Sequence, residues 1–292
     1  MERAADRVGI VVHPRRDVDG ALATTQAWAA RHGVALGQIL IPGQTRRVAE
    51  PVEVAYCDLL LALGGDGTAL AALHAAAPHS RPVLGVACGS LGVLTSVPAG
   101  RLSSALDHVA TGEWTPRPLP ALEITAGPGE PRFAINDFAL IRDGTGQVIT
   151  EIRVDDELYA RTAGDGLVVA TPLGSSAYTM AAGGPILGPG TEGIVITPVA
   201  QHGGVSPPLV TGPDSSIAVR VEPGYGGSRF EIDGQETGVV ALELSVRLRR
   251  DYASMVALAD QEPVLTGLRR RGLVVDSPRI LARDTRARDS GR

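Results

Sequence analysis

The run Leu59-Leu60-Leu61-Ala62-Leu63 breaks off abruptly into Gly64-Gly65-Asp66-Gly67-Thr68, and an alanine-rich segment follows to Ala77. A stretch with no polar alternation, bounded by glycine, reads as a parallel strand buried on both faces, and the segment from Thr68 to Ala77 reads as a helix. The chain is thereby committed to an α/β sheet around this strand, turn and helix. Strand ends of this kind are where open α/β sheets bind ligands, because glycines and helix-start N–H groups let a phosphate come close to the backbone. Asp66 then sits beside the phosphate, either as a general base toward a hydroxyl or as a ligand for a hard divalent cation. A glycine-rich turn carrying a solvated aspartate is the plain alternative.

With 292 residues, 44% of them hydrophobic, the chain can bury a full core and is expected to form two domains. The net charge of −5 comes without a basic stripe, which argues against a nucleic-acid surface and for a small-molecule partner. All 27 basic residues are arginine. Schiff-base and phosphate-loop lysines are therefore excluded, and any phosphate contact must come from Arg, backbone N–H groups, helix ends or a metal. Cys57 and Cys88 are too few for a zinc knuckle and read as reduced core thiols. The charged stretch Met1 to Arg7 and the short apolar run Val8–Val12 suit neither a signal peptide nor a membrane span, so a cytoplasmic protein is expected.

Along the chain, Val8–Val12 reads as a first strand, Asp17–Arg31 as a helix, Val34–Ile41 as a second strand, and Pro82–Ala87 continues the alternation after the glycine motif. This is the pattern of βαβ units in a Rossmann-like domain, expected over residues 1–115. Near Thr115-Pro116-Arg117-Pro118-Leu119-Pro120 the pattern changes to short β-rich runs, at Ala121–Thr125, Arg132–Ile141, Val148–Val154, Gly193–Thr197, Ser216–Val221 and Leu242–Arg249. The expected fold is thus an N-terminal α/β domain packed against a β-rich, sandwich-like domain over 116–282. Residues 283–292, without apolar periodicity, are expected as a flexible tail.

A second dense constellation runs from Gly164-Asp165-Gly166 through an apolar strand to Thr171-Pro172-Leu173-Gly174-Ser175-Ser176-Ala177-Tyr178 and on to Gly183-Gly184-Pro185. A tight turn rich in backbone and hydroxyl donors can hold a ribose, a base or a pyrophosphate; capping serines in an ordinary connection are the alternative. Asn136-Asp137 interrupts an apolar segment, and Asp233-Gly234 follows another. A local hydrogen bond would explain Asn136, and a hairpin turn Asp233-Gly234.

Taken in order, these motifs resemble the NAD kinase family. The resemblance implies an α/β domain against a β-rich domain, a homodimer or homotetramer, and transfer of the terminal phosphoryl group of ATP or polyphosphate to the 2′-hydroxyl of the NAD adenosine ribose. It implies Asp66 as the catalytic aspartate, with Gly64, Gly65, Gly67 and Thr68 shaping the phosphate site. Asn136 and Asp137 would hold the adenosine part of the dinucleotide, and Asp165, Ser176, Ala177 and Tyr178 the remainder. His202 and Asp233 are further candidates. Mg²⁺ would arrive on the nucleotide, since no dense cage of protein oxygens appears in the sequence.

The chain also departs from the family pattern. Ala87, Gly89-Ser90 and Leu91-Gly92-Val93 stand where a polar anchor, a cation and an aromatic are usual; Ala69-Leu70-Ala71 lacks the usual basic residue; Leu173 replaces a threonine; and His202 is followed by Pro207-Pro208 without the customary arginine. Two other readings follow, a kinase of the same type acting on another nucleoside or nucleotide, and a non-catalytic dinucleotide-binding sensor. Retention of both Asp66 and Asp165 argues against the sensor, because carboxylates near phosphates are unfavourable without a metal.

Overall fold

The computed structural model describes residues 5–90, 92–127, 129–238 and 241–290; Leu91 and the ends of the two expected terminal segments lie outside them. The chain divides into two compact units. The first comprises 1–72, 84–115 and 257–292; the second comprises 73–83 and 116–256. The division thus differs from a single cut after residue 115: the closing segment belongs with the α/β unit, and the end of the helix after the glycine motif belongs with the β-rich one.

In chain order the first unit runs through β1 (Arg7–Val12), α1 (Asp19–His32), β2 (Ala35–Gln38), β3 (Leu59–Gly64), α2 (Asp66–Ala76), β4 (Pro82–Ala87), β5 (Val97–Pro98) and α3 (Leu102–Thr111). Its strands lie in the order β4-β3-β1-β2. β1 pairs in parallel with β2 from Arg7↔Ala35 to Ile10↔Gln38, and with β3 from Val8↔Leu59 to Val12↔Leu63. The apolar runs are buried on both faces, as parallel strands require, with Leu60, Leu61, Ala62 and Leu63 at zero exposure. Trp28 of α1 and Leu102 and Leu106 of α3 are fully buried as well.

Because the chain leaves β1 for β2 on one side and reaches β3 on the other, the strand order reverses between β1 and β3. That reversal is the switch point at which open α/β sheets present loop backbones to a ligand. The loops beginning at His13 and Gly64 are neighbours there, joined by the His13 N–H to Leu63 carbonyl bond at 2.9 Å.

The second unit contains β6 (Thr115–Thr125), β7 (Arg132–Ala134), β8 (Asp137–Arg142), β9 (Val148–Val154), β10 (Glu157–Ala170), the short α4 (Tyr178–Ala181), β11 (Ile194–Gln201), β12 (Leu209–Thr211), β13 (Ile217–Glu222), β14 (Ser228–Ile232), β15 (Gln235–Glu236) and β16 (Glu243–Ala257). Pairing is antiparallel, in the order β15-β14-β8-β10-β9-β13-β16, with β11 also beside β10. Phe138, Leu140, Ile152, Leu167, Val169, Ile196, Val219 and Phe230 share one core, and the Phe138 and Phe230 rings stack at 5.7 Å. β10 changes partners along its length, meeting β9 over Glu157–Gly164 and then β8 and β11 over Gly166–Ala170.

Helices α5 (Val264–Arg270) and α6 (Pro278–Ser290) close the first unit. The latter covers residues 283–290 of the expected tail over 283–292. Pro278 stands at the first helical position, where its fixed φ suits a helix start, and the N–H groups of Ile280 and Leu281 bond back to the Ser277 carbonyl. Among the described residues no helix is long and apolar enough to cross a membrane.

Candidate active site

In the first unit, β3 ends at Gly64 because nothing larger fits. A Cβ there would lie 2.3 Å from the Thr68 Oγ1 and 3.1 Å from the His13 Cβ. Thr68 is buried under the turn, and its N–H and that of Ala69 both bond to the Gly65 carbonyl. α2 therefore starts at Asp66 itself, two residues earlier than the alanine pattern predicts. Among the described residues, apart from its chain neighbours and its own helix backbone, nothing lies within 4 Å of a Cβ built on Gly67, and the residue is exposed.

Asp66 does not extend freely from this turn. Its Oδ2 accepts the Val93 N–H at 2.8 Å, and its Oδ1 accepts the N–H groups of Leu94 and Thr95 and the Thr95 hydroxyl, each at 3.0 Å. Thr95 Oγ1 in turn accepts the Gly92 N–H at 3.0 Å. A Cβ on Gly92 would fall 1.8 Å from the Asp66 Oδ1, so the glycine lets the loop close over the carboxylate. One aspartate thus folds the 92–95 loop onto the phosphate turn. Among the described residues Oδ1 is saturated and Oδ2 keeps a lone pair for a substrate hydroxyl or a cation.

In the second unit, Asn136 and Asp137 form the junction between β7 and β8, and Asp233 organises them. Its carboxylate accepts the N–H groups of Ile135, Asn136 and Asp137 at 2.9, 2.7 and 3.2 Å, and meets the His74 Nε2 at 2.6 Å. The hairpin explanation of Asp233-Gly234 also holds, since φ is +50° and +73° there, as an Asp-Gly turn between β14 and β15 requires. His74 was not singled out in the sequence; one histidine in an alanine-rich helix carries no spacing signal. Beside it Tyr252 and Phe133 stack at 4.5 Å, with the Arg249 guanidinium 5.5 Å from the Phe133 ring centre.

The turn after β10 is packed onto the same junction. Thr171 N–H bonds to the Asn136 carbonyl and Thr171 Oγ1 to the Ile135 carbonyl, while a Cβ on Gly174 would fall 1.9 Å from the Asn136 oxygen. Ser176 Oγ donates to the Leu173 carbonyl and Ala177 N–H to that of Gly174, and since Leu173 and Ala177 hold the N-cap positions without a side-chain bond, the capping explanation of the serines does not hold. Tyr178 packs against Ala139, Ile141 and Val168. Burial first, and then the Asp233 carboxylate, push the Asp137 carboxyl up to about 7, against a Tyr178 backbone N–H that favours the anion. Burial and the nearby Glu231 raise the Tyr178 phenol.

Asp165 lies one residue before Gly166, whose φ is +152° and where a Cβ would fall 2.0 Å from the Leu140 carbonyl oxygen. Its Oδ1 receives the Arg142 Nε at 2.6 Å, with the His202 Nε2 at 3.8 Å and the His202 Nδ1 held by Gln147. Arg142 is a cation that the motif alone did not reveal. The structure therefore groups Asn136, Asp137, Ser176, Ala177, Tyr178 and Asp233 at one junction and joins Asp165 to His202 and Arg142. Cys57 and Cys88 are buried thiols outside any disulfide.

No group of three or more His, Cys, Asp or Glu side chains that could hold a metal occurs among the described residues, and three of the four bonds to the Asp66 carboxylate fall on Oδ1. Asp66 Oδ2, which takes a single bond among the described residues, has an acceptor site that suits a hard divalent cation.

Comparison with known proteins bears on both units. The profile of the ATP-NAD kinase N-terminal domain matches residues 3–114, and that of the C-terminal domain residues 135–258. An NAD kinase of Heliobacterium modesticaldum is 33% identical over 258 residues, covering 83% of this chain and 89% of that protein. NAD kinase 1 of Streptomyces coelicolor is 33% identical over 277 residues, covering 80% and 76%. Against the NAD kinase of Chlorobaculum tepidum identity is 35% over 188 residues, covering 64% of this chain and 66% of the relative. Among solved structures, yeast NADH kinase complexed with NADH superposes with a TM-score of 0.76 at 22% identity, covering 92% of this chain and 87% of that one. An NAD kinase from Archaeoglobus fulgidus in complex with ATP superposes with a TM-score of 0.74 at 23% identity, covering 90% and 98%; at such identity both show the fold. With both domain profiles matched and full-length relatives at one-third identity, the chain belongs to the ATP-NAD kinase family, a family of phosphotransferases that act on a hydroxyl acceptor.

Proposed function

We propose that this protein transfers the terminal phosphoryl group of ATP to the ribose 2′-hydroxyl of NAD. The observation that carries the reading is the Gly64–Thr68 turn at the sheet's switch point, with an aspartate whose Oδ2 alone keeps acceptor capacity. Gly64, Gly65, Gly67 and Thr68 are assigned to the phosphate site where the strand order reverses, Gly65 and Gly67 through the more open backbone and the buried Gly64 and Thr68 by shaping the turn. Asp66 is assigned to the acceptor hydroxyl, which Oδ2 would orient and whose proton it would receive late in a loose transition state.

The 92–95 loop fixes the rotamer of Asp66, so the carboxylate is positioned before substrate arrives. Asn136, Asp137, Ser176, Ala177 and Tyr178 are assigned to the dinucleotide, on a junction made rigid by Asp233 and His74. Asp165 and His202 are assigned to its remaining part, with Arg142 offsetting the Asp165 charge. When bound, Mg²⁺ supplies charge neutralisation on the phosphates. Residues of this chain would touch it through Asp66 Oδ2.

We further infer a cytoplasmic homodimer or homotetramer whose partners are nucleotides, without nucleic acid or membrane. The test is incubation with Mg²⁺-ATP and a panel of NAD, NADH and free nucleosides and nucleotides, with products identified by mass. Phosphorylation of NAD supports the assignment. Phosphorylation of another acceptor alone replaces it with the kinase of altered specificity that the substitutions at Ala87, Val93, Leu173 and Pro207 would suit.

A further inference from the structure

The glycine turn carries a cation that its sequence neighbourhood lacks. Arg16 leaves the loop after β1 and lays its guanidinium across the turn after β3. A Cβ built on Gly65 would lie 3.2 Å from its Nη1, and one built on Gly89 would lie 2.9 Å from the same atom. Gly89 also has φ of +139°, a conformation side chains rarely adopt. Two glycines on two different loops thus leave room for one guanidinium.

The loop that carries Arg16 is itself braced. His13 Nδ1 accepts the N–H groups of Arg15 and Arg16 at 3.1 and 2.9 Å, and Arg46 Nη1 donates to the Arg16 carbonyl at 2.6 Å. The guanidinium is held by one bond, from Nη1 to the Cys88 carbonyl at 3.3 Å, and has no ion-pair partner among the described residues. An arginine has five N–H donors, so most of the fork remains free to bind. A planar cation fixed at a sheet's switch point and left without a carboxylate suits a phosphate oxygen.

We propose that Arg16 binds the phosphate chain of the nucleoside triphosphate at the Gly64–Gly67 turn, supplying from the β1 loop the cation absent from Ala69–Ala71 and Ser90. The proposal rests on the phosphoryl-transfer reading above. It makes Arg16 a substrate-binding residue rather than a brace for the Cys88 carbonyl.

The experiment compares the full chain with its Arg16→Gln and Arg16→Lys variants by calorimetric titration with ATP, inorganic tripolyphosphate and adenosine, in Mg²⁺ buffer, with thermal unfolding as a control. Arg16→Gln is expected to weaken ATP and tripolyphosphate by at least about tenfold while leaving adenosine unchanged. Arg16→Lys is expected to recover part of the loss, as a point charge without the fork. Unchanged triphosphate affinity in a folded Arg16→Gln variant overturns the proposal, as does an equal loss for adenosine, which would mark a structural role. If the wild type turns over ATP and Arg16→Gln matches it, the inference alone fails; if the wild type binds neither ATP nor tripolyphosphate, the phosphoryl-transfer reading fails with it.

Discussion

Removing the Asp66 carboxylate should cost stability as well as activity, although the residue stands at the edge of the phosphate turn. Four donors converge on it, three of them backbone N–H groups of the 92–95 loop. Hydrogen bonds to a charged group contribute about 1.5–3 kcal/mol each, and water replaces part of that at a half-buried site, so Asp66→Ala should lose about 3–5 kcal/mol. Asp66→Asn keeps the shape but turns an amide N–H toward the Val93 N–H, leaving one donor unpaired at about 1–3 kcal/mol. In a double-mutant cycle with Thr95→Val, the Asp66→Ala background should show a coupling of at least about 1 kcal/mol, since the two side chains bond directly. Urea unfolding with linear extrapolation measures all four species. Stability of Asp66→Ala within about 0.5 kcal/mol of wild type, or additive losses in the cycle, would refute the clamp.

Gly92→Ala should resemble Asp66→Ala in stability, because its methyl would lie 1.8 Å from the carboxylate it accommodates; an unaffected melting temperature would argue against the loop closure. Asp137 titrates up to about 7 in the folded protein against an ordinary 3.8, so the folded state binds the proton more tightly and stability declines as pH rises between these values. The interval corresponds to an upper bound of roughly 4 kcal/mol, so Asp137→Asn should be more stable than wild type at pH 8 and no more stable at pH 4, and a gain that does not depend on pH would contradict the assignment. His74→Ala leaves the buried Asp233 carboxylate without its ring partner and should cost about 1–3 kcal/mol with a raised KM for the dinucleotide, whereas an unchanged KM would detach His74 from the Asn136–Asp137 junction.

The parts of this fold legible in sequence are those whose burial writes itself into composition. β1, β3 and β4 are covered on both faces and appear as unbroken apolar runs, and the break at Gly64 announces the turn. The second half of β6 is legible as the run Ala121–Thr125, whereas Pro116, Pro118 and Pro120 make its first half look like a boundary although β6 spans Thr115–Thr125. Prolines two apart remove donors from one edge only, and the strand survives on the other. Gly164 and Gly166 look like turn residues, yet β10 runs through both. Their missing Cβ atoms admit the Ala200 and Leu140 carbonyl oxygens, at 2.7 and 2.0 Å from where those atoms would stand. Asp66 and Asp233 were found as polar residues among glycines, but their partners were not. Thr95, His74 and Arg142 reach the motifs from 29, 159 and 23 residues away, beyond any local pattern.

The central claim is phosphorylation of NAD at the 2′-hydroxyl under the control of Asp66. Purified protein incubated with Mg²⁺-ATP and NAD should give a dinucleotide heavier by one phosphoryl group that serves a dehydrogenase strict for the 2′-phosphate, and Asp66→Asn, assayed well below its melting temperature, should lose at least about 100-fold in kcat. No phosphorylated dinucleotide from the wild type, or an undiminished rate in folded Asp66→Asn, would contradict the account.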